Sequence, residues 1–193
     1  MTAHMPPPGR RNRWLLLAVA GLFFGSLLLA GLLRFSGWQP AATKAHGELL
    51  HPPGDLRQVT PRLADGSAYA WEPARRIWRI ALAPPAACEQ ACVRLAQQLM
   101  TVWQLLGQDA DRVQVLWIGE PPRAVPRGGA LRVLRPDAAL QSGFPRLHPQ
   151  AGEDPNGVPV YLIDPNGFVV MRYAAGFDAG GLRADLGKLL KLM

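Results

Sequence analysis

The chain has 193 residues, 49% of them apolar and only 18% charged; this excludes a disordered protein and leaves room for one medium domain and a short appendage. Its net charge of +7 is not a nucleic-acid-binding signature. Setting aside Arg10, Arg11 and Arg13 leaves 18 basic against 14 acidic residues, scattered and without an aromatic-interleaved basic stripe. The residual charge allows a mild preference for acidic partners or anionic lipid headgroups.

Residues 14–33, WLLLAVAGLFFGSLLLAGLL, carry no charge over a length that crosses a bilayer core of about 30 Å as a helix. The apolar region of a cleavable signal peptide is usually shorter, and no small-x-small cleavage site follows. The run reads as an uncleaved signal anchor. Arg10, Arg11 and Arg13 precede it and only Arg34 follows closely, so positive-inside bias predicts a cytoplasmic tail at 1–13, a single membrane span at 14–33 and an exported remainder. In a bacterial-type inner membrane that remainder is periplasmic. Residues 34–55, stiffened by Pro40, Pro52 and Pro53, read as a linker, and residues 56–193 as the folded domain.

Within that domain, Asp65-Gly66 in VTPRLADGSAYAW predicts a β-hairpin. RRIWRIALA (75–83) reads as a buried strand stopped by Pro84 and Pro85. From Cys88 a helix is predicted through CEQACVRLAQQLMTVWQLL, with Cys88, Cys92, Leu95, Ala96, Leu99, Trp103 and Leu106 near one face and Gly107 as its stop. RVQVLWIG (112–119) completes a strand–helix–strand unit, which implies parallel pairing. After the loop EPPRAVPRGGA come a strand, LRVL, and a short helix around 137–142. VPVYLIDPNGFVVMRYAAG then gives two strands joined by a turn at Asp164–Gly167, and a helix over about 178–192 ends the chain. The expected fold is α/β, one mixed sheet with helices on both faces.

Cys88 and Cys92 are the only cysteines. A redox pair, a metal clamp and two packed small side chains are the readings open to them. Outside the cytoplasm a disulfide persists, but closing so short a loop restrains the unfolded chain little, which favours chemistry over reinforcement. Cys88 falls at or just before the first helical turn, where backbone N–H groups and the helix dipole favour a thiolate. Cys92 lies one turn deeper on the same face. Their Cα atoms can come within roughly 4.4–6.8 Å if the first turn relaxes, which is disulfide range. The same spacing can pinch a soft Cu(I) ion between two thiolates.

The strand, PPAAC, the helix opening at the cysteines and the later GVPVYLIDPNGFVV together resemble the thioredoxin fold. Within it, residues 56–193 and the single N-terminal anchor resemble the SCO family of membrane-anchored copper proteins of cytochrome c oxidase assembly. That family carries a C-x3-C pair here, matched by Cys88 and Cys92, and YLIDPNG at 161–167 is similar to the segment just beyond its copper-binding histidine. The histidine itself would fall on Asn156, and the proline expected after the second cysteine is Val93. Pro159 sits where thioredoxins keep a cis-proline facing the cysteines, which predicts a cis bond. The resemblance thus implies Cys88, Cys92 and Pro159 as the catalytic set and Cys88 and Cys92 as copper(I) ligands. His148, in the loop FPRLHPQ, is the candidate for the missing third ligand, against the plainer reading of a solvated loop histidine. The implied role is oxidase assembly, by copper delivery or by reducing the thiols of a copper-binding oxidase subunit, with that subunit or another assembly factor as partner. A general extracytoplasmic thiol–disulfide oxidoreductase and a non-catalytic assembly scaffold are the alternatives. No glycine-rich phosphate loop, G-x-S-x-G motif or well-set carboxylate pair supports other chemistry.

Overall fold

The computed structural model describes residues 8–36 and 45–192, which fall into two compact units divided after Lys44. The first is one helix, α1 (Pro8–Phe35). Its stretch Asn12–Phe35 is long and apolar enough to cross a membrane by length and composition, and none of it is buried against protein. A helix that is apolar all round needs a core or a bilayer around it, and Leu22 and Leu32 are among the side chains that find no core. Most of the expected tail 1–13 and residues 37–44 of the expected linker lie outside the described residues.

The second unit, Ala45–Met193, is built on a six-stranded mixed sheet. Its strands are β1 (Glu48–Asp55), β2 (Trp78–Leu82), β3 (Val113–Ile118), β4 (Leu131–Leu134), β5 (Val160–Ile163) and β6 (Phe168–Tyr173), in the spatial order β1-β6-β5-β2-β3-β4. β2, β3 and β4 are parallel, and β5 and β6 antiparallel to their neighbours. The central strands are apolar on both faces because both faces are covered. On one side, α2 (Gln90–Gln104) and α4 (Ala179–Lys191) pack Leu95, Leu99, Leu182 and Leu186 against Ile80, Val115 and Leu162. On the other, Leu56, Trp71, Phe144 and Leu140 of α3 (Ala138–Ser142) cover Ala81, Leu116, Tyr161 and Ile163. The mixed sheet with helices on both faces is therefore present as expected.

Three local expectations are corrected. The stretch 34–55 is not all linker, since Glu48–Asp55 is β1, paired antiparallel with β6. Its Pro52 and Pro53 fall where the register shifts between Leu49 and Gly54, and prolines are tolerated there because β1 is an edge strand. The hairpin around Asp65-Gly66 forms, but shorter than a pair of strands: Arg62 bridges Ala68, and the N–H groups of Leu63 and Tyr69 donate across the turn to the Ser67 and Pro61 carbonyls at 2.8 Å each. Its first arm is also held to the open edge of β4, where Leu63 bridges Leu134, the Ala64 N–H donates to the Val133 carbonyl at 2.9 Å and that of Arg135 to the Arg62 carbonyl at 2.8 Å. Covering that edge removes a template for unwanted pairing. Finally, the only cis peptide bond among the described residues is His51–Pro52. Val158–Pro159 is trans, the majority form for an X–Pro bond.

Candidate functional site

The cysteines sit where the sequence places them relative to the sheet. β2 ends at Leu82, Pro84 and Pro85 break the strand, and the Cys88 N–H closes a turn onto the Pro85 carbonyl at 3.0 Å. The helix starts at Gln90, two residues later than expected, so Cys88 lies outside it and Cys92 is its third residue. They are joined by a disulfide with Cα atoms 5.4 Å apart. Their surroundings differ: Cys88 is half-buried, whereas Cys92 has no exposed surface and packs in the core beneath α2. The N-terminal turn of α2 has no side-chain cap, so its free N–H groups and dipole face the Cys88 end of the pair.

Cys88 opens onto a cleft of about 610 Å³ whose walls include Pro85, His148, Asn156, Gly157 and Pro159. The fold thus brings Cys88, His148, Pro159 and Asn156, the residue on which the resemblance would place a histidine, to one cavity. His148 is exposed, and among the described residues no three His, Cys, Asp or Glu side chains are grouped to hold a metal.

The wall opposite Cys88 is a long loop, 143–159, and it is fastened from beneath by residues that the sequence reading did not single out. Arg172 of β6, 2% exposed, donates from Nη1 and Nη2 to Glu153 Oε1 and Oε2 at 2.6 and 2.8 Å. Its Nε donates to the Arg146 carbonyl at 3.2 Å. The Tyr161 hydroxyl donates toward the carbonyls of Pro145 and Arg146 at 2.8 and 2.9 Å. The Arg172 guanidinium holds the Glu153 carboxyl down at about 2, against the opposing effect of its burial. A bidentate pair of this kind fixes orientation as well as charge. A charged residue inside the otherwise apolar run FVVMRY was the signal available for Arg172; Glu153 had none.

No curated protein matches the chain. Among solved structures it is similar to copper-bound ScoI of Arabidopsis thaliana, at 15% identity over 77% of this chain and 100% of that one, with a TM-score of 0.52. It is also similar to apo Sco1 of Thermus thermophilus, at 14% identity over 80% of this chain and 100% of that one, with a TM-score of 0.51. At these identities the likeness is one of fold, the thioredoxin-like fold that the mixed sheet and the helix following β2 already describe. The profile of the family described as transmembrane-like, thioredoxin-like, C-terminal domain matches residues 78–193, from the first residue of β2 to the end of the chain, and the protein belongs to that family.

Proposed function

We propose that the protein is a membrane-anchored thiol–disulfide exchange protein with Cys88 as the attacking sulfur, Cys92 as the resolving one and Pro159 as part of the client-binding wall. The observation that carries this reading is the asymmetry of the pair: Cys88 borders a cleft while Cys92 is buried behind it. Starting from the dithiol, the Cys88 thiolate attacks a client disulfide, and one client sulfur leaves as thiolate and takes a proton. Cys92 then attacks Cys88 Sγ, the second client sulfur leaves, and the pair ends as the disulfide. The client has gained two electrons and two protons, and another dithiol protein returns the pair to its reduced form. The proposed setting is the periplasmic face of a bacterial-type inner membrane with the N-terminus in the cytoplasm. The proposed client is the copper-site subunit of cytochrome c oxidase, whose thiols must be reduced before they bind metal.

The test is a trap. Cys92→Ser expressed in the source cell leaves a mixed disulfide unresolved, so a client-linked band should appear on a non-reducing gel and vanish with reductant. Absence of any such band, with the variant present at normal level, sinks the exchange reading.

A copper-cargo reading has one observation in its favour, two soft sulfur donors on residues whose Cα atoms are 5.4 Å apart. In the disulfide they do not bind copper. Reduced, they suit Cu(I), which accepts two thiolates, and not Cu(II), which calls for nitrogen donors that the grouping of described residues does not supply. A Cu(I) titration of the reduced protein against a competing chelator separates the two readings, since exchange alone requires no retention of the metal.

A further inference from the structure

At the end of the sheet away from Cys88, three polar side chains interrupt an apolar face. Arg79 of β2 is in register with Gln114 of β3, and Arg132 of β4 is in register with Leu116, two residues beyond Gln114 and on the same face. That face otherwise carries Ala81, Leu116 and Leu134 into the core. Together with Tyr69, Glu72 and Arg75 these polar residues border an open pocket of about 290 Å³.

Arg79 is 1% exposed, yet among the described residues no carboxylate meets its guanidinium. It donates to the Tyr69 hydroxyl at 2.8 Å, to the carbonyls of Ile77, Asp164 and Pro165 at 2.9, 3.2 and 3.2 Å, and to that of Trp71. Buried charges are ordinarily paired. Here the only acid bordering the pocket is Glu72, and it is engaged by Arg75 at 3.0 Å. Two positive charges, those of Arg79 and Arg132, are left without a counter-charge.

The hydrogen-bond directions also favour an acceptor-rich guest. A guanidinium only donates, so the Tyr69 oxygen accepts from Arg79 and its hydroxyl must donate onward, to Gln114 Oε1 at 2.7 Å. That fixes the amide of Gln114 with its NH₂ group turned away from Tyr69 and, among the described residues, unused by protein. Arg132 spends Nη1 on the Gly129 and Leu131 carbonyls at 2.6 and 3.1 Å, leaving its remaining N–H groups for the pocket it borders.

We propose that this pocket binds an oxyanion of the phosphate class, supplied either as free phosphate or as the phosphodiester headgroup of an anionic lipid. A tetrahedral anion accepts from Gln114 of β3 and Arg132 of β4 at once and sets a counter-charge beside Arg132 and the buried Arg79, whose own N–H groups are spent on protein acceptors. The site stands apart from the cysteine cleft and does not depend on the exchange reaction.

The full chain in nonionic detergent is titrated calorimetrically with inorganic phosphate and, separately, with glycerophosphoglycerol, the chloride concentration being adjusted to constant ionic strength. Saturable binding of either probe is expected. Arg132→Gln, on a half-exposed edge-strand position, should weaken it about tenfold, the scale of one lost charge-assisted hydrogen bond. Glu72→Gln removes the one competing acid and should tighten it severalfold, while Arg127→Gln, outside the pocket, should leave it unchanged. Binding of the diester identifies a lipid headgroup as the source, and binding of phosphate alone a soluble anion. No saturable binding of either probe, or identical binding by Arg132→Gln and Glu72→Gln, overturns the proposal, and the opposite sign expected for Glu72→Gln keeps it open to refutation even if Arg132→Gln misfolds.

Discussion

Four positions along the chain, Cys88 and Cys92 meet solvent differently, and that difference is measurable without a client. Only the thiolate is nucleophilic, and a fully buried sulfur is inaccessible to reagent. With the pair reduced, iodoacetamide should modify the Cys92→Ser variant, which keeps Cys88, at least about tenfold faster than the Cys88→Ser variant, which keeps Cys92. Equal rates would remove the asymmetry on which the assignment of attacking and resolving sulfurs rests. Beneath the facing wall, Glu153 and Arg172 form a pair with 12% and 2% of their side chains exposed. Removing one partner strands the other's charge, so Glu153→Gln should cost about 3 kcal/mol at pH 7. The Glu153 carboxyl is held at about 2 by Arg172, below its unfolded value near 4.3. A depressed acid stabilises the fold above its unfolded pKa and loses that contribution as pH falls through the folded one. The deficit of Glu153→Gln relative to the parent should therefore be full at pH 6–7 and shrink between about pH 4 and 2. Urea denaturation across that range reads it directly, and a deficit independent of pH would mean the pair contributes packing rather than charge.

At the scale of elements, legibility followed how far each segment's pattern is local. The apolar runs of β2, β3, β5 and β6 and the helical spacing of α2 and α4 are visible because burial on one or both faces writes itself into consecutive residues. Val102, buried in α2, was the one position of its face passed over. β1 was not legible. ELLHPPGD has neither alternation nor a continuous apolar run, because a strand paired on one side and interrupted by a register shift needs neither. What fixes β1 is distant in sequence: Leu50 and Leu56 enter the second core, and Gly54 passes so close to Gly143 that a Cβ there would lie 2.0 Å from its carbonyl oxygen. Backbone cannot give way cheaply, so Gly54→Ala should destabilise by about 1–3 kcal/mol and raise hydrogen exchange selectively in β1 and its partner residues of β6. Uniform exchange across the sheet would mean that β1 is not a separable edge. The cysteine site was legible for a different reason, since two prolines and a helix start mark it locally. The fastening of its far wall was not, because Arg172 and Glu153 meet across a loop whose course no local pattern specifies, and the cis bond anticipated at Pro159 depended on a family habit that this backbone does not follow.

For the molecule as a whole, the question is what the anchor adds to a domain that already contains its own sheet, cores and cleft. The unit from Ala45 onward is secured at its first residues: buried Asp185 of α4 accepts from the N–H groups of His46 and Gly47 at 2.6 and 3.0 Å and from the Tyr173 hydroxyl at 3.0 Å. Burial pushes that carboxyl up, and the N–H groups of Gly47 and His46, the His46 ring and Lys188 outweigh it, bringing it to about 2. The clamp gives the domain a defined entry point. The anchor contributes nothing to the chemistry at sulfur. On the proposed reading it turns encounter with a membrane-borne client into a search at high effective concentration. The expectation is therefore a split between two assays. A protein cut between residues 36 and 44 after folding should reduce a small soluble disulfide at the rate of the intact chain, within about twofold, because Cys88, Cys92 and the cleft are untouched. The same cut should lower the yield of mixed disulfide with a membrane client in the Cys92→Ser background by 10²-fold or more, on the order of the gain that tethering gives. If the two yields fall together, the anchor side of the chain is part of the reactive domain's structure. If neither falls, the client is soluble, and an oxidase subunit in the membrane is the wrong partner.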